Sequence, residues 1–292
     1  MDNFIVLYNP LAGNGTAQDK MRELESLMQG DRLYFSNMLD IRDYGAFFND
    51  MPDGASIIIC GGDGTLNRFL NDTEDIRPDC DIYYYPSGSG NDFARDIDAE
   101  RGASPVLINR YIERLPKICA NGKEHRFING IGYGIDGYCC EKGDELRGKG
   151  NGEVNYTAIA IKGLLFHYKP TGATITVDGV EHRFEKVWLA PTMIGRYYGG
   201  GMMPMEQDRL NGDGAVSVTV YYGSGKLKSL AVFPSIFKGE HIKHSEMVAV
   251  LSGRNITVCF DEPRPLQIDG ETVPGVREYS VTACEEKVLQ PA

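Results

Sequence analysis

No stretch of this chain approaches the ~18 consecutive apolar residues of a membrane-spanning helix. The opening residues, Met1 to Pro10, also lack a basic segment followed by an apolar core. A soluble protein, at most peripheral to a membrane, is therefore expected. Basic residues are in short supply, with 30 Lys and Arg against 41 Asp and Glu, a net charge of −11. That balance excludes a general nucleic-acid binder and disfavours broad electrostatic docking on anionic lipid. No Cys-x-x-Cys pair occurs among the seven scattered cysteines, which points to a reducing cytosol rather than a disulfide framework or a zinc site. Neither a G-x-x-x-x-G-K-[ST] loop nor the H-R-D and D-F-G pair is present, so P-loop enzymes and protein kinases are excluded. Internal repeats and low-complexity tracts are missing too, and 292 residues suggest about two domains.

What is present centres on Ala55 to Asn71. An apolar run through Ile57, Ile58 and Ile59 stops at Gly61-Gly62-Asp63-Gly64-Thr65, and Leu66, Phe69 and Leu70 then follow helical spacing. This reads as a buried strand, a tight turn and a helix. The glycines are expected to adopt backbone angles closed to other residues and to admit a ligand close to the main chain. Free N–H groups and the helix dipole at such a turn suit phosphate oxygens. Asp63 at its tip would repel phosphate unless a cation intervenes or it accepts a proton, and both tasks belong to phosphoryl transfer. The plainer alternative is a glycine-rich turn whose Asp bonds its own backbone.

The same unit recurs twice. Phe4 to Tyr8 runs into Asn9-Pro10 and Gly13 before a helical segment, and Asp81 to Pro86 runs into Gly88-Ser89-Gly90-Asn91-Asp92. Arg32 to Leu39 reads as a further strand and Asp43 to Met51 as a short helix. The alternation predicts a parallel, doubly wound sheet with all three loops at the carboxyl ends of its strands. Near residue 117 the texture changes to hairpins, around Asn121-Gly122, Asp178-Gly179 and Ser252 to Asn255, which indicates antiparallel sheet. A helical segment from Glu153 to Tyr168 interrupts it. In this half, candidate chemistry lies at the glycine strand ending in Asp136, at Leu210 to Ala215 around Asp213, and at Asp269-Gly270-Glu271. Each is by itself an ordinary turn. His241 and His244 have no third ligand nearby and read as a solvated helix end; Lys226 to Lys238, with Leu227, Leu230, Ala231 and Phe237 near one face and lysines outside, resembles an interfacial segment, while Pro234 and the acidic total favour core packing. Tyr197, Tyr198, Met202 and Met203 flank three glycines and read either as core or as a loop that opens to lipid.

Taken in order, Asn9-Pro10 with Gly13, Gly61 to Thr65 with Asn67, Pro86-x-Gly88-x-x-Asn91-Asp92-Phe93-Ala94-Arg95, Asp136, Asp213-Gly214 and Asp269-Gly270-Glu271 resemble the diacylglycerol kinase catalytic domain family, soluble lipid kinases that include sphingosine and ceramide kinases. The resemblance implies an α/β plus β architecture. An amino-terminal doubly wound domain like that of NAD kinases and phosphofructokinases would span 1–116, with the chain end 285–292 returning to it, and an antiparallel β-sandwich domain would span 117–284. It also implies ATP in the cleft between them, its phosphates on Asn9, Pro10, Gly13, Gly61, Gly62, Asp63, Gly64, Thr65, Asn67, Gly88, Ser89, Asn91 and Asp92. Glu271 would be the proton acceptor, Asp136 its partner, and Asp63 the competitor for the role. A structural Mg²⁺ would take the Asp213 side chain and the carbonyls of Leu210 and Ala215. The family's nucleotide-contacting threonine has no clear match near Asp40. The expected reaction phosphorylates a lipid alcohol, diacylglycerol first among them, at a membrane surface, by a cytoplasmic protein without nucleic-acid partners; a homodimer is left open. A NAD-kinase-like enzyme acting on a soluble substrate and a catalytically silent nucleotide or lipid sensor are the alternatives.

Overall fold

The computed structural model describes the chain apart from Met1, residues 11–16, Arg77, Ser89, residues 150–153, Asp208, residues 211–213, residues 285–292 and the side chain of Thr157. Gly13, Ser89, Asp213 and the chain end expected to return to the first domain thus lie outside the described residues. Contacts divide the chain into two units, Met1–Glu113 and Arg114–Ala292.

The first unit is a five-stranded sheet in the order β2-β1-β3-β4-β5. Its strands are β1 (Asn3–Tyr8), β2 (Arg32–Asn37), β3 (Ser56–Gly61), β4 (Ile82–Pro86) and β5 (Val106–Leu107), and its helices are α1 (Ala17–Leu27), α2 (Tyr44–Asn49), α3 (Asp63–Asp72), α4 (Asp92–Asp96) and α5 (Asn109–Ile112). The first four strands run parallel and β5 closes the edge antiparallel, so the sheet is mixed rather than purely parallel. Strand alternation supplies two apolar faces, as a doubly wound sheet requires. Phe4, Val6, Ile58, Cys60 and Tyr85 cluster with Leu24 of α1 on one face. On the other, Tyr84 meets Phe93 of α4 and Phe69 of α3 meets Tyr44 of α2. Register pairs Tyr8 with Cys60 and Gly61 with Pro86, so the three glycine loops leave the sheet along one edge. The chain reverses its direction across the sheet between β1 and β3, the place where open α/β sheets collect ligands.

The second unit is a ten-stranded antiparallel sheet. Its strands are β6 (Lys117–Ala120), β7 (Lys123–Arg126), β8 (Gly130–Tyr133), β9 (Thr171–Val177), β10 (Val180–Val187), β11 (Thr192–Met193), β12 (Val216–Tyr221), β13 (Val248–Gly253), β14 (Asn255–Ile268) and β15 (Glu271–Thr282). The order is β13-β12-β11-β8-β14-β15-β6-β7, with the β9–β10 hairpin attached through β14. β14 is long enough to serve two partners: its first half pairs with β9 and its second half with β8. Tyr133, Phe260 and Tyr279 pack edge-on within this sheet, with centroids 4.3 and 5.3 Å apart. The Asn121-Gly122 and Asp178-Gly179 hairpins form as expected, each with positive φ at both turn residues.

The expected hairpin around Ser252 to Asn255 does not form. β13 pairs with β12, while β14 turns away to β9 and β15. The Asp178 carboxylate accepts the N–H groups of Arg254 and Asn255 and pins the crossing there. α6 (Ile135–Gly148), the longest helix described, is an element beyond those expected from the sequence. α7 (Tyr156–Lys162) and a π-helical turn (Gly163–His167) fill the expected helical segment, and α8 (Lys226–Val232) leads into two 3₁₀ turns, Phe233–Lys238 and Glu240–Lys243.

Candidate active site

In the first unit the carboxylate of Asp63 decides the arrangement. Its Oδ2 accepts the N–H of Asp92 and its Oδ1 that of Phe93, both at 2.9 Å. Asp63 opens α3 and by these bonds caps α4, so the second glycine loop is tied to the third. Gly62 and Gly88 meet where the loops cross: a Cβ on Gly88 would stand 2.5 Å from the Cα of Gly62. A Cβ on Gly61 would collide with the buried side chain of Thr65. None of Gly61, Gly62, Gly64, Gly88 and Gly90 has a positive φ, so the expected conformational reason does not apply; for Gly62 and Gly88 it is replaced by a steric one, the close approach of loop to loop, and for Gly61 by the Thr65 side chain.

The residues expected around phosphate divide accordingly. Asn91 adopts the left-handed conformation (φ 51°), donates from Nδ2 to the Gly88 carbonyl at 2.8 Å, and is buried with Asp92. These two build the loop. Thr65 is buried beneath it, and Asn67 accepts from the Asn71 side chain. Asn9 and Pro10 follow β1 at the same sheet edge, half-buried. Gly64, exposed like Gly90, differs from the others in having open space where a side chain would stand. It opens the way for a phosphate oxygen to the first turn of α3, whose N-cap Gly62 supplies no side-chain partner.

In the second unit α6 presents Asp136 in its first turn. Gly137 lacks the Cβ that would strike the Pro265 carbonyl, so this turn presses onto β14. Gln267 of β14 donates from Nε2 to Asp136 Oδ2 at 2.9 Å and accepts the Gly270 N–H on Oε1 at 2.6 Å. Gly132 on β8 leaves room for both side chains, since a Cβ there would overlap the Asp136 carboxylate. Burial pushes the Asp136 carboxyl up to about 6, against the opposing hydrogen bond from Gln267 and the Tyr198 hydroxyl, which lies close but short of regular hydrogen-bond geometry. A carboxyl poised near neutrality at a polar turn suits proton transfer.

Glu271 stands at the start of β15, exposed, its carboxylate with no hydrogen-bond partner among the described residues. The structure does not bring it directly to Asp136. Register pairs Gln267 with Thr272 and Ile268 with Glu271, so strand alternation turns Glu271 away from the face that Gln267 and Thr272 present to α6. The link between them runs through Gln267 and the Gly270 backbone. Asp269 receives the N–H groups of Ile128, Asn129 and Gly130 and serves as a strut. Gln267 was not foreseen from the sequence, and Tyr198, expected as core or as part of a lipid loop, was not expected beside Asp136. The signal for Gln267 was an amide between Leu266 and Ile268 in an otherwise apolar strand end.

Two other expectations change. His241 is fully buried, with Nε2 at 2.8 Å from the Pro204 carbonyl and its ring stacked on Tyr221, so it is core rather than a solvated helix end; burial lowers its pKa. Tyr198 and Met202 are buried in the second-unit core, and Met203 is tied by its N–H to the Ile236 carbonyl. That favours packing over an opening loop. Of the expected Mg²⁺ ligands, Leu210 and Ala215 are described and Asp213 is not.

Residues 3–117 match the diacylglycerol kinase catalytic domain, and residues 129–285, more than half of the chain, match the YegS C-terminal NAD kinase beta sandwich-like domain. The chain belongs to the diacylglycerol kinase catalytic domain family. Among this lipid-kinase family's members, a diacylglycerol kinase of Mycobacterium tuberculosis is 27% identical over 245 residues, covering 81% of this chain and 77% of its own. One of Bacillus subtilis is 27% identical over 223 residues, covering 74% and 70%. The fold follows a solved diacylglycerol kinase structure from Bacillus anthracis, with a TM-score of 0.61, 18% identity and coverage of 97% and 94%. Against that family background, the two loops joined by Asp63 and the turn braced by Gln267 are the parts that the motifs mark.

Proposed function

We propose that this chain is an ATP-dependent lipid kinase that phosphorylates the free hydroxyl of diacylglycerol to give phosphatidic acid. The observation that carries the reading is the clamp of Asp63 on the N–H groups of Asp92 and Phe93, which holds two glycine loops together at the carboxyl edge of a parallel sheet. Phosphates of the nucleotide would approach Gly64 and the first turn of α3, with Asn9 and Pro10 alongside. Mg²⁺ would offset phosphate charge during transfer and, at a second place, tie Leu210, Asp213 and Ala215. The lipid hydroxyl attacks the γ-phosphorus, ADP departs, and the proton passes to a carboxylate.

Glu271 is the acceptor in this reading, because it is exposed and its carboxylate engages no partner among the described residues. Asp136 is the second candidate, favoured by its carboxyl pushed up to about 6. Asp63 is a positioning residue, since both of its oxygens already receive N–H groups. The test is incubation of the purified chain with labelled ATP and separate panels of diacylglycerols, other lipid alcohols, NAD and sugars. Label in phosphatidic acid is expected; label in NADP or a sugar phosphate, or in nothing, overturns the reading.

A further inference from the structure

Among the described residues Arg209 alone of the lysines and arginines is buried. Burying a guanidinium is costly unless its charge and its donors are met. Nη1 of Arg209 donates to the Ile128 carbonyl and Nη2 to the Asn129 amide oxygen, the latter at 3.1 Å, and both acceptors belong to buried residues. A carboxylate stands one peptide away. Asp269 accepts the N–H of Asn129 at 2.9 Å, and that N–H and the Ile128 carbonyl are the two poles of a single peptide group. A trans peptide points its poles in opposite directions, so this group lies between the guanidinium and the carboxylate with its dipole aligned to both. Bonds in such a chain strengthen one another.

Asp269 in turn shapes the bend that carries Glu271. Asp269 and Gly270 have φ of 46° and 95°, and the first of these lies in the left-handed region, which a residue with a side chain enters at a cost. The Asp269 carboxylate holds it there through the N–H groups of Ile128, Asn129 and Gly130, and the Asp269 N–H donates to the Gly130 carbonyl at 3.0 Å. Gln267 takes the Gly270 N–H on Oε1. Glu271 is the next residue, and its exposed carboxylate has no partner of its own among the described residues. The backbone of the turn is therefore what aims it, and the turn rests on the peptide that Arg209 holds.

We infer that Arg209 is a positioning residue for phosphoryl transfer: by holding the Ile128–Asn129 peptide against Asp269 it fixes the direction in which Glu271 meets the acceptor hydroxyl. The inference rests on the reading of Glu271 as the proton acceptor of a lipid kinase. Lysine replaces Arg209 only in part, since one ammonium does not reproduce the planar fork that meets two acceptors at once. A misaimed carboxylate still lets nucleotide and lipid bind, so the loss falls on kcat rather than on KM, and a displacement of about 1 Å is enough for a loss of about a hundredfold.

The test is a double-mutant cycle between Arg209 and Glu271 in the full chain, read as turnover of ATP with a short-chain soluble diacylglycerol. Arg209→Ala should lower kcat about 10- to 100-fold while KM for both substrates stays within about twofold, and Arg209→Lys should lose less. In the Glu271→Gln background either change should cost less than about twofold, because the group being aimed is gone. Equal losses in the two backgrounds, or a loss confined to KM, overturn the inference and leave Arg209 a support of the fold alone. Arg209→Ala takes a donor from two buried acceptors and should lower the melting temperature. Should it fail to fold, Arg209→Lys, which keeps the charge, carries the same cycle. Hydrogen exchange of the full chain without substrates separates the inference from the kinase reading. Arg209→Lys should speed exchange over Phe127–Gly132 and Leu266–Thr272 and leave β1 to β4 unchanged. Unchanged exchange in those two segments overturns the inference whatever the turnover. Faster exchange there in a chain whose wild type phosphorylates no lipid alcohol removes the kinase and leaves the support of the turn standing.

Discussion

Replacing Asp136 by Asn should make the protein more stable at neutral pH and no more stable at acid pH. In the folded chain burial raises this carboxyl from 3.8 to about 6. Between those values the native state keeps a proton that the unfolded state has lost, so stability falls as pH rises through the window and stays lower above it. Two pH units at about 1.4 kcal/mol each give a penalty of about 3 kcal/mol at pH 7. Asn cannot ionise, keeps the shape of the side chain, and still accepts from Gln267 through Oδ1. The difference in stability, variant minus wild type, should therefore grow by about 3 kcal/mol between pH 4 and pH 7, or roughly 6–12 °C in Tm for a unit of this size. Thermal unfolding followed by circular dichroism at a series of pH values reads it directly. A Tm difference that does not change with pH would refute the argument and place the Asp136 carboxylate in a solvated setting. Should Asp136 take part in transfer, the stabilised variant would also lose turnover, and the limb of the pH–rate profile near pH 6 would vanish.

Asp63→Asn leaves one acceptor where two N–H groups converge, so the Tm should fall by an amount equivalent to about 1.5–3 kcal/mol, with turnover falling alongside; loss of turnover at full stability would show that the clamp on α4 is not its main contribution. Glu271→Gln should lower turnover ~10²- to 10⁴-fold at an unchanged Tm, because the side chain is exposed. Wild-type turnover there would pass the acceptor role to Asp136. Gly88→Ala inserts a methyl 2.5 Å from the Gly62 Cα and should destabilise by about 1–3 kcal/mol, whereas Gly64→Ala meets open space within a helix and should hold or raise the Tm. If Gly64→Ala nonetheless leaves ATP affinity intact in a filter-binding assay, phosphate does not approach at that point.

Much of the fold was legible because its signals are local. A β-branched run broken by glycines and followed by Leu66, Phe69 and Leu70 specifies strand, turn and helix within seventeen residues. Asn121-Gly122 and Asp178-Gly179 specify their hairpins through the two residues that must take positive φ. The sequence by itself thus determined the strand–loop–helix units, the turns, the family and the carboxylates worth naming. The tertiary structure decided what those residues touch. Asp63 finds its partners 29 and 30 residues away, and Asp136 finds Gln267 at a separation of 131. Such contacts leave no local periodicity, so the clamp on α4, the brace behind Gly270 and the turning of Glu271 away from Asp136 were open until the strands were registered. The same holds for Gly62 and Gly88, each fixed in kind by the backbone of the other that crosses beside it, and for Met202 and Leu227. One is buried and the other exposed because the packing of the second unit leaves a place in its core for the first and none for the second.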